Sequence, residues 1–158
     1  MADAKGRLMR VVLDGDALHR LSSLQQADQE QAVRDLAQES EFYLPSHPDM
    51  QIILHLSIHE GRLVLDVRDE NEQPIQAVLL ALGPFKMLIR DYRMLLDSYA
   101  GAIAEGREAR IQAIDMGRRG LHNEGAELMM KRLEGKVAID FSTARRLFTL
   151  VCALHQKL

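Results

Sequence analysis

The residues most able to do chemistry are concentrated in the stretch IDMGRRGLHNEGAE, at positions 114–127. It holds two arginines, a histidine and three acidic residues among three glycines, and two more arginines follow in the run STARRLF. Because arginine forks match carboxylate or phosphate oxygens two at a time, this cluster predicts either an anion site or a network of ion pairs. The candidate residues are Asp115, Arg118, Arg119, His122, Asn123, Glu124, Arg145 and Arg146.

The spacing of this stretch places polar residues on an apolar helix face. If residues 107–134 form one helix, Arg118 and His122 lie inside its apolar stripe. Each glycine weakens such a helix by about 1 kcal/mol relative to alanine, and a buried arginine needs a partner. Two structures therefore stay open. Either the helix breaks around Gly120 and Asn123 caps the next one, or a partner holds the polar residues inward.

The arginines of STARRLF stand near the start of another predicted helix. With Ser142 as its N-cap, Arg145 and Arg146 fall in the first turn, where cations are disfavoured. We therefore expect them to pair with carboxylates or to hold an anion. The sequence favours an internal ion pair, for instance between Arg145 and Asp115 or Glu124.

The remaining residues do not indicate a catalytic or metal site. His55 and His59 are the only histidines at close spacing, and residues four apart in a strand lie about 13 Å from each other. His55 is expected opposite Asp66 across a hairpin, where such pairs are usually structural. Cys152 stands in an apolar helix, as core cysteines do. We expect no metal and no cofactor, and nothing here names an enzymatic reaction.

A sheet must support these residues. The run QIILHLSIHEGRLVLDVRD alternates with period two on both sides of Glu60-Gly61, which predicts a β-hairpin. Its apolar side chains share one face if the pairs are Ile58 with Leu63, Leu56 with Leu65 and Leu54 with Val67. RLMRVVLD at 7–14 and IQAVLLAL at 75–82 predict two further strands.

Helical periodicity marks four regions, which are residues 28–40, 85–103, 107–134 and 142–155. Asp28 is the expected cap of the first helix, and Pro84 suits the start of the second. KVAIDF is predicted as a short strand. We predict a single α+β domain over residues 1–158, with an antiparallel sheet whose central three-stranded meander packs against four to five helices.

Composition narrows the classes of function. The chain has 158 residues, a formal net charge of −3, 4% aromatic residues and one cysteine. An acidic chain poor in aromatic side chains is not typical of nucleic-acid binding. The cysteine count excludes an intramolecular disulfide, and no stretch resembles a membrane span or signal peptide. We therefore expect a cytoplasmic protein that contacts no membrane, and the composition disfavours nucleic-acid binding.

Three runs carry a resemblance to a known family. AIDMGRRGLHNEGAE, GKVAIDFSTARRLFTLVCALH and LHLSIHEGRLVLDV resemble uncharacterised protein family number 0262, and the likeness extends over nearly the whole chain. The resemblance implies a cytoplasmic, single-domain protein of alphaproteobacteria. It implies no activity, so no catalytic role is transferred.

These observations lead to one functional hypothesis and two alternatives. The first is a non-enzymatic protein-interaction or regulatory module, with a second copy of the chain (a homodimer) as one candidate partner. A small sheet beside long helices offers an edge or a helix face to which a partner can bind. The alternative is a protein or enzyme that binds a phosphorylated or carboxylated molecule at the arginine cluster. The second alternative is RNA binding, with Arg107 and Arg110 added to that cluster.

Overall fold

The central hairpin has the register that its alternating side chains predict. In the computed structural model, which describes residues 6–15, 18 and 21–155, strands β3 (Ile52–His59) and β4 (Arg62–Arg68) are antiparallel. All three predicted apolar pairs are confirmed. Glu60 and Gly61 turn the chain at φ values of 52° and 74°, the left-handed conformation that a tight hairpin turn requires.

The four-stranded sheet is mixed. β5 (Pro74–Ala81) completes the predicted antiparallel meander, whereas β1 (Leu8–Leu13) pairs in parallel with β3, giving the order β1-β3-β4-β5. A long crossover separates β1 from β3 in the chain, and it allows the parallel pairing. The α+β class and its meander are confirmed, and the antiparallel description does not extend to β1.

Two of the predicted helix caps are wrong. Helix α1 (Ser23–Gln38) begins earlier than predicted, because Ser22 and Gln25 form a reciprocal capping box that leaves Asp28 in the second turn. Helix α4 (Phe141–Leu154) is capped by Asp140, whose carboxylate accepts the Thr143 N–H at 2.9 Å. Ser142 is therefore a helical residue, not the N-cap.

The two long helices form an antiparallel pair. A 3-10 turn at Gly83–Phe85 leads into α2 (Lys86–Glu105), and Gly106 ends that helix with φ 69°. Helix α3 (Glu108–Leu133) then continues without interruption through the glycine-rich stretch. Of the two structures that the sequence left open, the break at Gly120 with an Asn123 cap is not formed, because burial of the inward face of α3 against other helices outweighs the helix-weakening effect of its glycines.

A second, two-stranded sheet lies beside the end of α3. β2 (Phe42–Tyr43) pairs antiparallel with β6 (Ala138–Ile139), which confirms the strand predicted in KVAIDF. The apolar face of the large sheet joins all four helices in one core, represented by Leu54, Leu65 and Phe148. Within the described residues, no helix is both long and apolar enough to cross a membrane.

Candidate functional site

Asp28 provides the carboxylate partner of Arg118. Its carboxylate accepts one hydrogen bond from Arg118 Nη2 at 2.9 Å and another from the hydroxyl of Tyr92. Both charged side chains are largely buried, with 16% of Asp28 and 25% of Arg118 exposed. Since an unpaired charge at such a position would be costly, this ion pair explains how α3 holds an arginine on its inward face. It also links α1 and α2 to α3.

His122 lies one turn after Arg118 and packs against two aromatic rings. Its centroid is 5.1 Å from that of Tyr92 and 6.2 Å from that of Phe148. Burial lowers the pKa of His122 to about 4, and the nearby cations Arg118 and Arg145 add to this effect. The imidazole is therefore neutral at pH 7.

The hydroxyl of Thr149 lies beside this imidazole. Thr149 donates its hydroxyl hydrogen to the carbonyl of Arg145 at 3.1 Å, and its Oγ1 lies 3.4 Å from Nε2 of His122. With its hydrogen on that carbonyl, the Thr149 oxygen retains the capacity to accept a hydrogen bond from the imidazole.

A polar cleft of about 230 Å³ lies between α1, α3 and α4. Its walls carry two arginines and two aspartates, and only one of its side chains, that of Ala32, is purely aliphatic. The residues that line it are Asp28, Gln31, Ala32, Asp35, His122, Arg145, Arg146 and Thr149.

The two cleft arginines differ in their partners. Arg146 donates to the carbonyl of Glu39 at 2.7 Å, and its Nε lies 3.8 Å from a carboxylate oxygen of Asp35. Across the part of the chain that the structure describes, the Arg145 guanidinium makes no hydrogen bond or ion pair, and its Nε is buried without an acceptor. The pairing of Arg145 with Asp115 or Glu124, expected from the sequence, is not formed.

Half of the eight candidate residues come together here. His122, Arg145 and Arg146 line the cleft, and Arg118 adjoins it through Asp28. The remaining four are not among the described residues that line it; they are Asp115, Arg119, Asn123 and Glu124. Helical phase explains three of these four, because residues three or four apart share a face of α3 while Arg119, Asn123 and Glu124 point to solvent. Asp115 shares the half-buried face of Arg118 without lining the cleft.

Sequence reasoning missed the acidic side of the cleft. Asp28 and Asp35 are seven residues apart in α1, on the same face as the buried Ala32 and Leu36. Carboxylates on the apolar face of an amphipathic helix were the available signal, and the assignment of Asp28 as a cap concealed it. Tyr92 carried no such signal, since an apolar stripe accommodates a tyrosine without a polar partner being evident.

The uncovered face of the sheet carries a separate group of charges. His55 pairs with Asp66 across the hairpin as predicted, but its ring nitrogen bonds instead to Glu72 at 2.8 Å. Glu72 also meets Arg10 at 3.0 Å, and Arg68 meets Asp66 at 2.8 Å. Every cation in this group has an acidic partner, so the group is self-satisfied.

A larger hollow, of about 500 Å³, lies where the end of α3 meets the small sheet. Its lining mixes apolar residues such as Met130 and Ile139 with Lys131 and Glu134, and it contains none of the candidate residues. We therefore consider the smaller, polar cleft the better candidate site. In the ranges that the structure describes, no three His, Cys, Asp or Glu side chains are grouped to hold a metal.

Fold and site together define a small α+β protein with an arginine-lined cleft between its helices. The chain belongs to the uncharacterised protein family UPF0262, whose model matches residues 5–157. A UPF0262 protein of Acidiphilium cryptum is 65% identical over 99% of this chain and 96% of its own. Others come from Granulibacter bethesdensis (57%, over 98% and 93%) and Maricaulis maris (40%, over 99% and 98%). No solved structure matches significantly.

Proposed function

We propose that this protein binds a small anionic molecule in the cleft between α1, α3 and α4. The observation that supports the proposal is the guanidinium of Arg145, which lines the cleft and has no acceptor among the described residues. A guanidinium partly removed from water and left unpaired costs free energy, and a carboxylate or phosphate would remove that cost by forming charge-assisted hydrogen bonds. The proposal keeps the cytoplasmic location predicted from the sequence.

The neighbours of Arg145 favour binding over catalysis. Thr149 directs its hydroxyl hydrogen to a backbone carbonyl, and His122 is neutral at pH 7 and packed against two aromatic rings. Neither group is arranged as an activated nucleophile or a general base near neutral pH. RNA binding gains no support, since Arg118, Arg145 and Arg146 are half-buried at or beside the cleft and not on an open surface.

The test is thermal unfolding of the wild type and two variants with acetate, propionate or inorganic phosphate at constant ionic strength. Because a ligand that binds only the folded state stabilises it, the melting temperature of the wild type should rise with at least one anion. Arg145→Gln should lose that rise. Arg119→Gln, which removes the same charge from an exposed position on α3, should keep it. An equal response of the two variants, or no response of the wild type, contradicts the proposal.

Self-association is a second candidate, favoured by the edge strand β5. In the described part of the chain, β5 pairs only with β4, and its solvent face carries the 48% exposed Leu79 between the exposed Ala77 and Ala81. An unprotected edge of this kind can pair with the same strand of a second copy. Light scattering after size exclusion tests this directly, and a monomer at high concentration rules it out.

A further inference from the structure

We infer that the ligand of the cleft is a small monoanionic carboxylate that also carries a hydroxyl group. The inference rests on the proposed function and specifies it through three features of the cleft. These are its charge balance, a carboxylate oxygen of Asp35 and the polarity of its walls.

The charges of the cleft leave an excess of one positive charge. Among the half-buried arginines at or beside it, Arg118 pairs with Asp28 and Arg146 lies nearest Asp35, whereas Arg145 has no acidic partner in the described residues. His122 lies in the same wall and is neutral at pH 7. A single carboxylate restores neutrality. A zwitterion would leave the excess in place, and a dianionic phosphate ester would exceed it.

Asp35 offers an acceptor in the cleft, beside Arg146. Its Oδ1 accepts the amide of Gln31 at 2.8 Å, whereas its Oδ2 lies 3.8 Å from Nε of Arg146, beyond hydrogen-bond distance. The side chain of Asp35 is 32% exposed and lines the cleft. A ligand that places its carboxylate on Arg145 could donate a hydroxyl hydrogen to this oxygen. An ammonium group could donate as well, but the charge balance disfavours it.

The size and lining of the cleft disfavour large or strongly apolar ligands. Its volume of about 230 Å³ is below the roughly 300–1,000 Å³ of pockets that hold drug-sized molecules. Ala32 is its only purely aliphatic side chain, so an alkyl chain would find little to pack against. A short, polar carbon skeleton fits these walls best.

The inference is tested by calorimetric titration of the full chain with glycerate, propionate, alanine and glycerol 3-phosphate. Glycerate should bind about tenfold or more tightly than propionate, because a hydrogen bond to a charged acceptor lowers the dissociation constant by at least about that factor. Alanine and glycerol 3-phosphate should both bind more weakly than glycerate. In Asp35→Ala the ratio of the glycerate and propionate affinities should fall to about one, while propionate binding persists.

The design separates the failure of this inference from the failure of the proposed function. One outcome is that propionate, alanine or glycerol 3-phosphate binds the wild type as tightly as glycerate while Arg145→Gln abolishes that binding. This result would support the anion site and contradict the assignment of its ligand as a hydroxycarboxylate. An unchanged glycerate-to-propionate ratio in Asp35→Ala also overturns the inference. If no probe binds, or binding persists in Arg145→Gln, both fail. Circular dichroism of each variant establishes that the helices are intact.

Discussion

At the scale of single residues, three arginines on the inner helix faces have different surroundings. Arg118 forms an ion pair with a largely buried aspartate. Arg146 donates a hydrogen bond to a backbone carbonyl and has a carboxylate 3.8 Å away. Arg145 has no partner within the described residues. Identical side chains thus contribute differently, since the energetic effect of an arginine depends on what accepts its N–H groups. Arg145 is the residue on which the functional proposal depends.

Two glycines of α3 should respond to alanine with opposite signs. A Cβ on Gly125 would lie 2.4 Å from Cγ of Phe148, whose ring is fully buried, whereas a Cβ on Gly120 meets nothing within 4 Å. Gly120→Ala should therefore raise the free energy of unfolding by about 1 kcal/mol. Gly125→Ala should lower it by about 1–3 kcal/mol through overpacking. Urea denaturation measures both, and equal effects of the two substitutions would contradict the close approach of α3 and α4.

His122 should make the fold less stable in acid. The pKa of His122 is about 4 in the folded chain, because of burial and the cations Arg118 and Arg145, against an attraction from Asp28. The pKa of an unfolded histidine is about 6.5, so the unfolded chain takes up a proton first as the pH falls. The free energy of unfolding should thus decrease between pH 6.5 and pH 4, by about 2 kcal/mol at pH 5.

His122→Gln isolates that contribution, since the pKa of His155 is also lowered by burial and its titration adds to the total. The comparison is between the wild type and His122→Gln, by urea denaturation at pH 7.5 and at pH 5. The wild type should lose more stability than the variant over this interval. An identical pH dependence of the two proteins would show that His122 does not titrate as described.

The positions of Arg118 and His122 on α3 could be predicted from the sequence, whereas the partner of Arg118 could not. Helical phase alone places both on the inward face of α3, as the structure has them. The partner of Arg118 could not be found this way, because Asp28 is ninety residues away in the chain. Pairing across that distance depends on how α1 packs on α3, which no local pattern contains.

At the scale of elements, helix α3 is where local and tertiary effects compete. Its glycines favour a break, and its overall amphipathic pattern is weak because arginines and glycines interrupt the apolar stripe. The helix stays continuous because Ile114, Ala126 and Met129 are buried and Arg118 is neutralised. Prediction from propensity left a break and a continuous helix open here. It succeeded for α2, whose apolar face has no interruption.

Strand register was predictable for a related reason. A shift of one residue between β3 and β4 would turn every apolar side chain to the opposite face, so alternation leaves one acceptable pairing. No comparable sequence pattern indicates the parallel pairing of β1 with β3, since a helix and a long connection separate these two strands in the chain. Hairpins are thus specified locally, and crossovers are not.

The edge strand β5 gives the element-scale prediction. If two copies associate through this strand, Leu79→Lys should convert the dimer to a monomer, because a charged side chain on an edge opposes further pairing. Met87→Lys is the matched control, since Met87 is 63% exposed on α2. Light scattering after size exclusion should give a monomer for the first variant and a dimer for the second. A dimer in both variants places self-association elsewhere.

At the scale of the whole molecule, the four helices both complete the core and form the cleft. Their apolar faces join the sheet in a continuous core, and polar residues of α1, α3 and α4 line the cleft beside it. Such concave sites between helices, with a few convergent polar groups, are where small ligands commonly bind. The fold thus gives Arg145 a partly enclosed, polar environment.

The most direct test of the anion site is the side-chain Nε–H signal of Arg145 in an NMR titration with glycerate, assigned by its loss in Arg145→Gln. Because this N–H is buried without an acceptor, a bound carboxylate should shift the signal to saturation, while the Nε–H signal of Arg119 on the solvent face of α3 stays in place. An Arg145 signal that does not move at any glycerate concentration would contradict the account.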